Sequence, residues 1–236
     1  MTMTQFTSRL PATWRAFAAF LRRPELAQPV GLRSRSGWIT VGAMLALNLT
    51  GLMVLLVLLS GYQALTGIEG PAAFEDFPKQ WLLPTAVLAA PLLEECAFRG
   101  WLSGRPRALW LLGCLIAGVV LMTLASDKPL AVAGGLAGLL LAGLIGWLVL
   151  RKRATPAWFS HRFAMIFFAS ASVFGLMHVF NYAQPGLLTL PMVLPQLWAG
   201  LTLGFTRNRV GLVGGMLVHG TSNALALGLA ALGGQI

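Results

Sequence analysis

Two adjacent glutamates lie in a hydrophobic stretch of the chain, four residues ahead of an arginine. The segment 93–101 reads LEECAFRGW and contains Glu94, Glu95 and Arg99. An ionisable side chain at membrane depth costs about 2.5 to 3.5 kcal/mol on insertion scales, so it marks a functional site by default. No other hydrophobic segment of the sequence contains an acidic residue. The pair therefore predicts a site of chemistry.

The two glutamates are predicted to have different roles. Successive helical residues point about 100° apart, so the two carboxylates cannot share one direction. Glu95 precedes Arg99 by the four residues at which helical side chains pair. Glu95 is therefore predicted to form a structural ion pair, which leaves Glu94 as the free carboxylate. A carboxylate in an apolar cavity suits a general base for water.

Two further hydrophobic segments each carry polar residues at helical spacing. Phe174 and His178 are four residues apart, as are His219 and Asn223, so each pair shares one face of its helix. Each also has a purely structural interpretation, because intramembrane histidine and asparagine often only hold helices together and phenylalanine fills the core. Both interpretations stay open for these residues. The glutamates favour chemistry, since one structural ion pair needs only one carboxylate.

Other hydrolytic chemistries lack the residues they need. Asp76 and Asp127 are the only aspartates and fall in predicted outer loops, which excludes an intramembrane aspartyl dyad. The sequence has no HExxH and no GxSG motif. An alternative zinc site would use Glu94, His178 and His219 with an open fourth position. No cofactor is predicted otherwise.

The composition predicts a polytopic membrane protein. Of 236 residues, 57% are hydrophobic and only 10% are charged, which no soluble core of this size could hide. The formal net charge is +10, but the basic residues form short blocks between apolar runs, so no nucleic-acid partner is predicted. Cys96 and Cys114 lack CxxC or metal-site spacing and are interpreted as packing residues.

The elements that must position these residues are helices, because backbone polar groups cannot stay unpaired in lipid. Runs of about 20 apolar residues suffice to cross a bilayer. The chain has seven such runs, at 38–60, 81–103, 108–125, 129–150, 162–182, 187–206 and 211–233. The predicted fold is an all-α transmembrane bundle of about seven spans.

Basic residues alternate from loop to loop. They lie before the first predicted span and after the second, fourth and sixth: Arg9, Arg15, Arg22, Arg23, Arg33 and Arg35; Arg105 and Arg107; Arg151, Lys152 and Arg153; Arg207 and Arg209. By the positive-inside rule the N-terminus is cytoplasmic and the C-terminus is outside. Abundant Arg, Ala, Gly and Leu hint at a bacterial inner membrane protein.

Residues 1–37 are predicted to form a cytoplasmic amphipathic segment ahead of one integral membrane domain, 38–236. Four apolar residues recur there at helical spacing: Leu10, Trp14, Phe17 and Leu21. This stripe predicts a helix lying on the cytoplasmic leaflet, and a disordered basic tail is the alternative.

Three motifs in order resemble those of the CPBP family, which comprises CAAX-prenyl-protease and bacteriocin-processing intramembrane endopeptidases and is also called the Abi family. EExxxR followed by Gly matches 94–100, FxxxH matches 174–178, and HxxxN matches 219–223. The resemblance covers about 81–233. It implies a peptide hydrolase whose substrate is a peptide or a membrane-associated protein, of unspecified identity and oligomeric state. The chain departs from the family in placing two additional spans between the first two motifs.

The resemblance also implies roles for the motif residues. Glu94, helped by His178, would activate a water, and His219 and Asn223 would donate hydrogen bonds to the oxyanion. Glu95, Arg99 and Phe174 would support the site. A zinc-dependent form of the protease is one alternative, and a proton-coupled transporter is another, since buried carboxylates and histidines also build proton relays.

A depth count leaves the place of His178 open. At about 1.5 Å per residue, Glu94 and His219 fall roughly 20 Å from the outer ends of their spans, but His178 falls only about 6 Å from its own. A tilt, a break near Pro91, or a fifth helix that continues past Tyr182 would bring them level.

Overall fold

The computed structural model describes residues 10–72 and 77–232, which form helices and no strand. Seven of these helical segments are long and apolar enough to cross a membrane, which confirms the predicted all-α bundle. The spans are, in order, Arg35–Thr66, Lys79–Ser103, Pro106–Leu124, Pro129–Leu150, Phe163–Asn181, Leu187–Arg209 and Leu212–Leu232. Two shorter helices, Leu10–Arg22 and Ala157–His161, lie outside them.

Three of the spans are composite. The second combines α-helix Lys79–Pro84, π-helix Thr85–Ala89, α-helix Ala90–Arg99 and 3₁₀-helix Gly100–Ser103. The fifth is α-helical over Phe163–Met177 and 3₁₀ over His178–Asn181. The sixth begins with 3₁₀ turns Leu187–Thr189 and Pro191–Val193 and continues as α-helix Leu194–Arg209. The continuation of the fifth helix past Tyr182, one of the options considered from sequence, is therefore wrong.

The π-helical turn of the second span has a cause in the sequence. Pro91 has no backbone N–H to donate and its ring crowds the carbonyl four residues earlier, that of Val87. In a membrane, backbone groups freed in this way are paired by neighbouring helices. Here Asn223 Nδ2 of the seventh span donates to Ala86 O at 2.8 Å. Gly220 lets that span approach, since a Cβ there would lie 2.6 Å from Val87 O.

A buried polar network joins the first, sixth and seventh spans. Asn48 Nδ2 donates to Ser222 Oγ at 2.9 Å, and Thr202 Oγ1 donates to Asn48 Oδ1 at 2.8 Å. All three side chains are buried. Such interhelical hydrogen bonds are worth about 0.6 to 2 kcal/mol in bilayers, so the network fixes the register of the helix that carries His219.

The N-terminal helix Leu10–Arg22 packs against the bundle. Phe17 and Phe20 are buried, with ring centroids 5.4 and 5.2 Å from that of Phe205 in the sixth span. Trp14 Nε1 donates to Ala43 O in the first span at 2.8 Å. The apolar side of this helix thus covers protein, whereas the sequence predicted that it would lie on lipid. Residues 1–9 of the predicted 1–37 segment lie outside the described residues.

The basic loops lie together at one end of the bundle. Three hydrogen bonds connect them: Ala27 N to Asn208 Oδ1 at 3.0 Å, Thr155 Oγ1 to Ser103 O at 3.2 Å, and Arg207 Nε to Arg99 O at 2.9 Å. The opposite end is joined by a hydrogen bond from Tyr62 Oη to Leu188 O at 2.9 Å. The predicted alternation of loops therefore fits the arrangement of the helices. That the basic end is cytoplasmic stays a prediction from charge.

The third and fourth spans form a helical hairpin. They pack through small residues, Gly118, Gly143 and Gly146, which are the buried residues of these two helices. Trp110 Nε1 donates across to Ala142 O at 2.9 Å. The two ends of the hairpin meet beside Gly104, where a Cβ would lie 2.6 Å from Thr155 Cγ2. The hairpin is thus an insertion whose two ends connect to positions that lie side by side in the structure.

Candidate active site

Glu95 is the centre of the polar cluster inside the bundle. Its side chain is fully buried, and Arg99 Nη1 donates to its Oε1 at 2.8 Å, which is the ion pair that the spacing predicted. His219 Nδ1 lies 3.1 Å from the same oxygen. Because Glu95 is paired with an arginine, its carboxylate accepts and the imidazole nitrogen donates. One carboxylate therefore ties the second span to the seventh.

Phe174 brings the fifth span to this cluster. The Arg99 guanidinium lies 3.8 Å from the Phe174 ring centroid, a cation–π contact between two fully buried side chains. The Phe174 ring is also 6.1 Å from the ring of His219, edge to face. Ser170 Oγ, one turn earlier, donates to Phe98 O at 2.7 Å. The phenylalanine of the second motif thus supports the arginine of the first.

Gly215 is a site residue that the sequence reasoning missed. A Cβ at this position would lie 2.9 Å from Glu95 Oε2, so any larger residue would displace that carboxylate oxygen. The glycine stands four residues before His219, on the same face of the seventh span. The sequence did contain one signal for this glycine, namely a small residue one helical turn from a predicted site histidine.

His219 lies between the two glutamates. Its Nδ1 donates to Glu95, and its Nε2 lies 3.8 Å from Glu94 Oε2. A carboxylate on one ring nitrogen fixes the orientation of an imidazole and thereby aims the other nitrogen. The Nε2 atom is consequently directed toward Glu94.

Glu94 has the features of a reactive group. Its side chain is 29% exposed, whereas that of Glu95 is 0% exposed. Its Oε2 atom is buried and has no hydrogen-bond partner among the described residues. The 3.8 Å separation from His219 Nε2 is too long for a direct hydrogen bond. A small polar molecule beside both atoms can hydrogen-bond to each of them.

His178 lies one turn beyond Phe174, in the 3₁₀ end of the fifth span. Its Nδ1 is 2.7 Å from Phe174 O, and since a carbonyl only accepts, Nδ1 carries the proton. In the neutral ring Nε2 is then the free acceptor. Within the described part of the chain, His178 has no hydrogen bond or ion pair with Glu94 or His219. The structure therefore does not bring His178 and Glu94 into direct contact.

Asn223 follows His219 by one turn, and its side-chain amide donates one hydrogen bond to Ala86 O. The second amide proton remains available to another acceptor, because the side-chain nitrogen carries two. The side chain is partly exposed. Asn223 thus holds the π-helical turn and keeps a second amide proton for another acceptor.

Among the described residues, the side chains do not form a metal-binding group. Across residues 10–72 and 77–232, no group of three His, Cys, Asp or Glu side chains could hold one. The alternative zinc set of Glu94, His178 and His219 is therefore not assembled. Both histidines use Nδ1 within the protein, His178 on a backbone carbonyl and His219 on Glu95.

Comparison with known families gives one match. A family model described as "Type II CAAX prenyl endopeptidase Rce1-like" matches residues 148–225, about a third of the chain. The matched region contains the FxxxH and HxxxN motifs, and the EExxxR motif lies before it. Neither a curated protein nor a solved structure gives a significant match. The match confirms the resemblance to the CAAX-protease family, which implies a peptide hydrolase. The chain is thus an integral, multi-pass membrane protein with a protease-type family match.

Proposed function

We propose that this protein is an intramembrane endopeptidase that hydrolyses a peptide bond in a peptide or a membrane-associated protein. The observation that carries the proposal is the pair formed by Glu94 Oε2, which has no hydrogen-bond partner among the described residues, and His219 Nε2 at 3.8 Å. The family match over residues 148–225 supports the reaction class. A prenylated CAAX-type substrate is the first to test, because it is the one that the family description names.

Glu94 is proposed as the general base. Its Oε2 takes a proton from water, and the resulting hydroxide attacks the scissile carbonyl carbon. The tetrahedral intermediate then collapses, the C–N bond breaks, and Glu94 returns the proton to the leaving amine. A positioned acid–base group of this kind contributes about 10²- to 10⁴-fold in rate. The partial exposure of the Glu94 side chain is compatible with access for substrate.

His219 and Asn223 are proposed as the donors to the oxyanion. His219 uses Nδ1 on Glu95, so Nε2 donates when the ring carries both protons. Asn223 donates with the amide proton that Ala86 O does not accept. Each donor to a tetrahedral oxyanion is worth about 2.7 to 4 kcal/mol of transition-state stabilisation.

Glu95, Arg99 and Phe174 are proposed as positioning residues. Glu95 accepts from both Arg99 and His219, and Arg99 rests on Phe174, so these contacts hold three spans around one point. A displacement of about 1 Å in such an arrangement can cost about 10²-fold in rate.

His178 is proposed to assist Glu94 by accepting a hydrogen bond from the reacting water at its Nε2 atom. Replacing it by alanine is expected to lower cleavage at least about 100-fold, the lower bound for an acid–base group. His161, exposed in the short helix Ala157–His161, provides the matched control. Unchanged cleavage by the His178→Ala variant would place this residue outside the site.

The proposal is tested with purified protein in proteoliposomes. A candidate peptide is added in ¹⁸O-labelled water, and the products are analysed by mass spectrometry. We expect one ¹⁸O atom in the new carboxyl terminus, loss of cleavage in Glu94→Gln, and full cleavage in the matched loop variant Glu69→Gln.

Two additions to this assay separate the alternatives. Exhaustive chelation with metal quantification tests the zinc-dependent form, and we expect activity to persist. A proton-flux measurement on the same vesicles tests the transporter, for which Glu94→Gln would abolish flux while no peptide is cleaved. Cleavage by Glu94→Gln at the wild-type rate contradicts the proposed base.

A further inference from the structure

A cavity of about 560 Å³ lies beside the second span, outside the site described above. Its walls come from the second, third, fourth, sixth and seventh spans and include Ala97, Leu111 and Trp147. None of Glu94, Glu95, His178, His219 and Asn223 lines it. Most of its lining is apolar, so the greater part of the cavity suits a hydrocarbon chain.

Three arginines line the same cavity: Arg105, Arg107 and Arg207. In the described part of the chain, none of them forms an ion pair with a carboxylate. Arg207 is only 8% exposed, and both its like-charged neighbour Arg105 and the carboxylate of Glu95 act on it electrostatically. A buried charge without a counter-ion is costly. The cavity therefore combines apolar walls with a buried positive group that forms no direct ion pair with a carboxylate of the described residues.

Two of these arginines, Arg207 and Arg107, are held in place by contacts with neighbouring residues. Arg207 donates through Nε to Arg99 O at 2.9 Å, and its terminal amino groups have no hydrogen bond to the described residues. Arg107 lies over the Trp147 ring at 4.3 Å from the centroid. Both contacts orient a guanidinium while leaving hydrogen-bond donors available for an anion.

We propose that this cavity binds an anionic phospholipid. The phosphate would accept hydrogen bonds from the guanidinium groups of the three arginines, since the guanidinium fork matches phosphate oxygens. One acyl chain would lie along the apolar walls formed by the second and third spans. Basic pockets between transmembrane helices, at the end of the bundle where basic loops gather, suit anionic head groups. The combination selects a lipid with net negative charge over a zwitterionic one.

The test is native mass spectrometry of the purified full-length protein with added phosphatidylglycerol or phosphatidylcholine. We expect preferential retention of phosphatidylglycerol by the wild type. The double variant Arg105→Gln/Arg107→Gln should bind it about thirtyfold more weakly, because each basic residue near an anionic head group contributes about a factor of five. The matched control Arg151→Gln/Arg153→Gln removes two arginines from the loop after the fourth span, outside the cavity, and should bind as the wild type does.

A second variant tests the apolar half of the cavity with all charges intact. Ala108→Trp places a large side chain among the lining residues and should also lower retention of phosphatidylglycerol. Circular dichroism checks that each variant keeps its helix content. The proposal is overturned if the cavity and control variants lose binding equally, or if both lipids bind equally. It is also overturned if a second copy of the protein is bound, or if equimolar inorganic phosphate displaces the lipid.

Discussion

The helices that carry the site differ from the hairpin of the third and fourth spans in how much of their surface is buried within the protein. Among the spans that carry the site, 39% of the apolar stretch of the fifth is buried within the protein, 33% of the seventh and 17% of the second, against 6% of the third and 11% of the fourth. The site-bearing spans are therefore buried by protein to a larger extent than the hairpin, most of whose surface is left to face lipid.

The two regions also bury different groups. The site region buries Glu95, Arg99 and Asn48, each with partners on the same or another helix. The two helices of the hairpin bury only three residues, the glycines Gly118, Gly143 and Gly146. Buried polar groups hold a helix at one rotation and one depth, because losing their partners is costly. The comparison indicates that positional accuracy is concentrated where the chemistry is proposed.

The largest effect on stability is expected from removing the buried arginine of the site. Arg99→Ala leaves Glu95 charged and buried without its partner, which costs about 3 to 5 kcal/mol. Arg107→Ala, in the hairpin, removes only a cation–π contact worth about 1 kcal/mol. Thermal unfolding in detergent, followed by circular dichroism, measures both. Similar losses for the two variants would remove the distinction between the regions.

A smaller effect, chiefly on activity, is expected at Gly215. The Cβ of Gly215→Ala would press on Glu95 Oε2 and displace the carboxylate that holds His219. We expect cleavage to fall by about 10- to 100-fold, in line with the cost of a misplacement of up to 1 Å. Gly228→Ala, on the same helix with no atom within 4 Å of the added Cβ, is the control. Equal rates for the two variants contradict the packing argument.

A modest effect on stability is expected from the polar network of the bundle. Asn48→Ala removes the hydrogen bonds to Ser222 and Thr202 and should lower the unfolding free energy by about 1 to 2 kcal/mol. Thr123→Ala in the hairpin removes only a hydrogen bond within its own helix and should change it by less than about 0.5 kcal/mol. Thermal unfolding measures both variants. A loss of stability in Thr123→Ala as large as that in Asn48→Ala would contradict the expectation.

The smallest effect on cleavage is expected from deleting the hairpin itself. Replacing residues 106–153 by a short Gly-Ser linker joins positions that already lie side by side, since Thr155 Oγ1 donates to Ser103 O at 3.2 Å. Removing two spans also keeps the later helices in their orientation. We expect the shortened protein to cleave within about threefold of the wild-type rate in the same proteoliposome assay. A folded but inactive product would show that the hairpin takes part in the chemistry.

Local features of this molecule followed from the sequence. The seven spans follow from run length, and the contact of Glu95 with Arg99 follows from a four-residue spacing within one helix. Contacts between helices did not follow, because periodicity gives the face of a helix but neither its partner nor its depth. The bond from His219 to Glu95 and the position of Gly215 both depend on how separate helices pack.

The division of labour between the two glutamates is the central claim, and one paired measurement tests it directly. Glu94→Gln and Glu95→Gln are purified side by side, and the cleavage rate and the melting temperature are measured on the same samples. The account predicts that Glu94→Gln loses cleavage and keeps the wild-type melting temperature, whereas Glu95→Gln is clearly destabilised. Normal cleavage by Glu94→Gln, or lost cleavage by Glu95→Gln at an unchanged melting temperature, would contradict it.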